Sequence, residues 1–74
     1  MEVEIRLFAS FRKGRWKCKR LTYDNGDKIT NILNSLNINK DEIGMILVNG
    51  EYRNSEYILS DGDILSIFPP VAGG

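Results

Sequence analysis

Only one segment of this chain repeats its apolar residues with a helical period, and that scarcity limits the fold more than any other feature. Ile29, Ile32, Leu33 and Leu36 follow the i, i+3, i+4, i+7 spacing of a single helical stripe. The other apolar segments read as strands. In EVEIRLF (2–8), Val3, Ile5 and Leu7 alternate with Glu2, Glu4 and Arg6, the pattern of a strand buried on one face. RWKCKRLT (15–22) reads as a second strand with Trp16 and Cys18 inward and Arg15, Lys17 and Lys19 outward. Its basic outer row then faces the acidic outer row of the first strand, in cross-strand pairs contributing about 0.2–1 kcal/mol each. Met45–Val48 is a short apolar strand, and Asn49-Gly50 follows it with two residues that tolerate positive φ, as a two-residue hairpin requires. Glu51–Arg53 is the expected return strand. Asp61-Gly62-Asp63 marks a tight turn before ILSIF (64–68), where Leu65 and Ile67 share one face and Ile64, Ser66 and Phe68 the other.

The connections agree with this division. ASFRKG (9–14) is a turn-forming link, and YDNGD (23–27) offers Asp27 or Asn25 as a helix N-cap. Asn34, Asn37 and Asn39 end the helix near residue 37. The order strand, strand, helix, strand, strand, strand is that of an α+β, ubiquitin-like β-grasp. It implies one mixed sheet of four to five strands with one main helix on one face. A lone helix covers only one side of a sheet, so the other is left to water or a partner. Phe8, Ile64 and Phe68 fall on that open side and are the expected partner-binding anchors.

Composition removes several classes of chemistry. With one cysteine and no histidine among 74 residues, neither an internal disulfide nor an ordinary Cys/His zinc site can form. No metal and no bound cofactor are expected, and Asp61 and Asp63 read as turn residues. Cys18 is expected in the core as a small hydrophobe, a persulfide or thioester acceptor being the sharper reading. Ten basic residues balance ten acidic ones, so net charge points to neither nucleic acid nor membrane. Six of the basic residues lie between Arg12 and Arg20. A solvated strand face is the expected reading there, a nucleic-acid stripe the sharper one, and docking on an acidic partner the intermediate one. MEVEIR lacks the apolar core of a signal peptide, which with the unpaired cysteine makes the cytoplasm the expected location.

Residues 69–74, PPVAGG, form an expected extended tail on a domain of residues 1–68. Pro69 and Pro70 give no N–H to a ladder, so they end the last strand, and Phe68 before them is held extended. Val71 and Ala72 offer little side chain and Gly73 and Gly74 none, which suits entry into a channel too narrow for a Cβ. No side chain here is an acid, base, nucleophile or ligand. Any chemistry belongs to the carboxylate of Gly74.

At this point the chain resembles a known family. LSDGDILSIFPPVAGG and RLFASFRKG together look like the small, sulfur-carrying subunit of molybdopterin synthase, and more broadly the ubiquitin-like sulfur carriers, the thiamine-pathway carrier included. The resemblance implies a protein co-substrate, not an enzyme. A ubiquitin-activating-type adenylating enzyme would join the Gly74 carboxylate to AMP from ATP, and a sulfur donor protein would convert the acyl-adenylate to a thiocarboxylate. A larger synthase subunit would then receive the tail, with sulfur passing to a pterin precursor. Carriers for tungsten cofactor, thiamine or cysteine synthesis would look similar, and so would a ubiquitin-like modifier or binding module. Arg12-Lys13 stands where the molybdopterin branch is expected to have Arg-Glu.

Overall fold

In the computed structural model, which describes residues 1–71, the sheet has five strands in the order β2-β1-β5-β3-β4. They are β1 (Glu2–Leu7), β2 (Cys18–Thr22), β3 (Met45–Val48), β4 (Glu51–Tyr52) and β5 (Ile64–Phe68), with helix α1 at Ile29–Ser35. β1 and β5 run parallel at the centre, and the remaining pairs are antiparallel. This is the ubiquitin-like β-grasp with one mixed sheet.

Period-two alternation becomes burial as expected. Val3, Ile5 and Leu7 of β1, Ile46 and Val48 of β3, and Leu65 and Ile67 of β5 all face the helix side. They meet Ile29, Ile32 and Leu33 of α1, while Leu36 is half-buried at the end of the stripe. Removing such side chains from water is what holds so small a domain together. The helix N-cap is Lys28, not Asp27 or Asn25, and the Asn31 side chain accepts the Lys28 backbone N–H at 2.9 Å. The helix stops at Ser35 because Asn37 takes a left-handed φ of 57°. The guanidinium of Arg15 then donates to the free Leu36 carbonyl at 3.1 Å, satisfying a group that helix ends leave orphaned.

Two further expectations from sequence are overturned. ASFRKG is not a plain turn: Ala9–Arg12 form a 3-10 helix that buries Phe11. Cys18 is exposed rather than core. Residues 13–17 leave the strand through a turn at Gly14, so the inward side of Trp16 says nothing about Cys18. Where β2 does begin, its register sets Leu21 opposite Val3 and Lys19 opposite Ile5, leaving Cys18 opposite Arg6 on the open face. The acidic row is matched after all, but by Arg20, which lies 3.7 Å from both Glu2 and Glu4.

The hairpin turn carries more of the structure than its length suggests. Asn49 and Gly50 take φ of 52° and 84° as the two-residue turn requires. The Asn49 side chain also donates to the buried Asp63 carboxylate at 2.9 Å and accepts the Ile64 N–H at 2.9 Å. Asp63 in turn accepts the Ser60 N–H at 2.8 Å. Turn and DGD loop thus hold each other, and Asn49→Ala is expected to cost about 2–3 kcal/mol, by taking one of two hydrogen bonds from the buried Asp63 carboxylate, leaving the Ile64 N–H without its acceptor and forcing Ala into positive φ. Urea unfolding measures this.

The surface charges give a second expected outcome. The Arg6 hydrogen bond, helped by Arg20, holds the Glu4 carboxyl below its ordinary value of 4.5. A carboxylate so lowered contributes stability above that range and loses it as pH falls through the folded value. The stability difference between wild type and Glu4→Gln should therefore shrink between about pH 7 and about pH 3, as read from urea midpoints.

Candidate functional site

The expected tail begins where the two central strands end together. The parallel register that pairs Leu7 with Ile67 brings the next residues, Phe8 and Phe68, side by side on the open face. Their rings stack with centroids 4.1 Å apart and planes 14° apart. The chain after Phe8 is turned aside at Ala9, which holds a φ of 51°, and the chain after Phe68 enters Pro69-Pro70. The Arg12 guanidinium lies over the Phe8 ring at 5.3 Å from its centroid, anchored by an Nε bond of 2.7 Å to the Leu7 carbonyl.

Around this pair lies an apolar groove of about 700 Å³, bounded by Phe8, Phe68, Met45, Tyr52 and the start of the tail. Met45 reaches it because β3 pairs with β5 through Met45 and Phe68. Tyr52 is 74% exposed and Val71 94% exposed, a concentration of apolar surface beside one segment of the kind that interaction sites have.

Gly44 is the residue that reading the sequence missed. Its N–H donates to the Phe68 carbonyl at 2.8 Å, the last rung before the prolines. A Cβ at this position would stand 2.6 Å from both the Pro69 carbonyl oxygen and the Pro70 Cα. The prolines therefore run flush against a bare backbone, and the seat, as well as proline stiffness, sets the direction in which the tail leaves. A lone glycine between a 3-10 turn and a strand carries no local signal of this. Only the position of the last strand reveals it.

Of the expected anchors, Phe8 and Phe68 are brought together and Ile64 is not. Ile64 shares their face but lies at the far end of β5, beside Glu2, Glu4 and Arg20. Pro69, Pro70 and Val71 border the groove, whereas Ala72, Gly73 and Gly74 lie outside the described residues. Among the described residues no group of acidic or cysteine side chains is arranged to hold a metal. No helix there is long and apolar enough to cross a membrane.

Gly44→Ala is expected to cost about 1–3 kcal/mol through the overpacking it forces. Its amide shifts should change most at Phe68 and Val71, on either side of the prolines. Urea unfolding and an amide NMR spectrum read the two effects separately.

Comparison with known proteins adds the family. The model of the ThiS family matches residues 5–74. Small archaeal modifier protein 3 of Haloferax volcanii is 32% identical over an alignment of 93 residues covering all of both chains. Among solved structures, SAMP1 of Haloferax volcanii superposes with a TM-score of 0.79 at 26% identity, with both chains fully covered. A complex of subunits 1 and 2 of the molybdopterin-converting factor of Helicobacter pylori contains a chain matched at TM-score 0.67 and 26% identity, again over the whole of both chains.

Proposed function

The chain belongs to the ThiS family of ubiquitin-like sulfur carriers, and from that premise we propose that it is a carrier whose Gly74 carboxylate is activated and converted to a thiocarboxylate. The observation that carries this reading is the seat at Gly44. The fold gives up a side chain there so that Pro69 and Pro70 can lie against backbone, at the edge of an apolar groove that a partner can cover. The domain is built to aim its tail.

The chemistry follows from what the tail lacks. A carboxylate is a poor electrophile until one oxygen becomes part of a leaving group. Attack of the Gly74 carboxylate on the α-phosphate of ATP, inside a ubiquitin-activating-type enzyme, expels pyrophosphate and leaves a mixed anhydride with AMP. A persulfide on a donor protein then attacks the acyl carbon and AMP departs, leaving an acyl disulfide; a second thiol of the donor cleaves its S–S bond, forming a donor disulfide and releasing the thiocarboxylate, whose sulfur is a nucleophile that needs no side chain. General acids, bases and the ATP site belong to the partners, so the chain itself is a co-substrate and not an enzyme. Gly73 and Gly74 admit the carbonyl to a channel where a Cβ would not pass. The groove with Phe8, Phe68, Met45 and Tyr52 is the partner's hold.

The recipient we favour is a pterin precursor in molybdopterin synthesis, reached through a larger synthase subunit. Supporting it are the Phe68-Pro69-Pro70 ending and the likeness to one component of a two-subunit molybdopterin-converting factor. Thiamine or cysteine synthesis would use the same tail. A second reading, attachment of Gly74 to lysines of other proteins, is favoured by the likeness to small archaeal modifiers. Both share the acyl-adenylate and differ in whether sulfur or an amine attacks it. The setting proposed for either is the cytoplasm.

Intact mass after incubation with an adenylating enzyme, ATP and a sulfur donor tests the proposal. A gain equal to exchanging one oxygen for sulfur, absent when Gly74 is deleted, is the expected result. Lysine-linked adducts in place of that gain would favour the modifier. An unchanged mass with several activating enzymes would contradict both.

A further inference from the structure

We infer that a cationic shelf beside the tail groove docks a carboxylate-bearing surface of the same protein partner that takes the tail. Residues 6–20 hold seven of the ten Lys and Arg residues and none of the ten Asp and Glu residues. The chain is neutral overall but strongly polarised. Three of these cations, Arg6, Arg12 and Lys17, surround a recess of about 360 Å³ whose floor is Phe8 and Cys18.

Their satisfaction is unequal. Arg6 is paired with Glu4 at 2.6 Å. Arg12 spends its Nε on the Leu7 carbonyl, and among the described residues neither Arg12 nor Lys17 has a carboxylate within ion-pair distance. Arg12 is already fixed over Phe8, so a partner carboxylate meets a guanidinium with little freedom left to lose.

Phe8 identifies the partner, because it borders both the apolar groove and the recess. Any protein seated on the groove at the base of the tail comes within reach of Arg12 and Lys17. The shelf therefore acts as the charged rim of the tail interface, where opposite charges steer encounter and fix orientation. A nucleic-acid strand fits the same cations poorly. Both sides of the Phe8 ring are occupied, by Phe68 and Arg12, and Trp16 is half-buried against the core, so neither of these aromatics near the cations is free to stack a base.

This inference rests on the carrier reading, and the test separates the two. The rate of ATP–pyrophosphate exchange by the adenylating enzyme is measured against carrier concentration for wild type, Lys17→Glu, Arg12→Glu and Lys40→Glu. The last makes the same charge change on the helix side, where Lys40 lies 3.9 Å from Glu56. Lys17→Glu removes no side-chain bond seen among the described residues, so its folding is expected to be unaffected. It should raise KM about tenfold at low salt with kcat unchanged, the gap closing near about 0.5 M NaCl, while Lys40→Glu matches wild type. Equal KM for Lys17→Glu and wild type at low salt would overturn the shelf. If wild type supports no exchange, the carrier reading fails, and amide NMR titration with a polyglutamate chain decides the shelf alone. Shifts centred on Phe8, Arg12, Lys17 and Cys18 would sustain it. Scattered shifts, or a stronger response to single-stranded RNA, would overturn it.

Discussion

The parallel pairing of β1 with β5 is the contact on which the rest depends. It is the most non-local pairing in the sheet, joining residues 4–7 to residues 64–67, and parallel strands need a crossover between them. Everything from the basic strand to the hairpin is that crossover. The pairing buries Leu7 and Ile67 beneath the helix and, one residue on, stacks Phe8 on Phe68. The base of the tail is thus set by the innermost ladder of the protein, not by a loop. A segment fixed in this way inherits the stability of the core.

Much of this was legible in the sequence because the deciding signals are local. Alternation assigns Val3, Ile5, Leu7, Leu65 and Ile67 to the core, helical spacing assigns Ile29, Ile32 and Leu33, and Asn49-Gly50 announces its turn. Alternation has two limits here. Period-two counting holds only while the chain stays in one strand, so it failed for Cys18 across the turn at Gly14. It gives the face of a residue but not its distance from another, which is why Ile64 was grouped with Phe8 and Phe68 when it lies at the other end of β5. Gly44 was invisible because its role is set by a segment about 25 residues away that reaches it only in the folded sheet.

The division of labour between domain and tail also explains what the composition lacks. The chain has no histidine, and its single cysteine lies exposed on the open face. It has much with which to present a terminus: a glycine seat, two prolines, a stacked aromatic pair and a charged shelf on one continuous surface. As proposed, the apolar anchor and the cationic rim would supply different things to a partner complex, the first residence and the second orientation and rate. Both depend on the same residue, Phe8, and so on the same central pairing.

In the proposed role, the folded domain and not the peptide alone makes the tail reactive. This is tested most directly by comparing the intact protein with a synthetic peptide of residues 69–74 as substrates in adenylate formation by one activating enzyme. The expected kcat/KM for the peptide is lower by about a hundredfold or more, because binding energy from the groove and shelf is lost and the tail must be ordered anew. A peptide that reacts as well as the whole protein would contradict it.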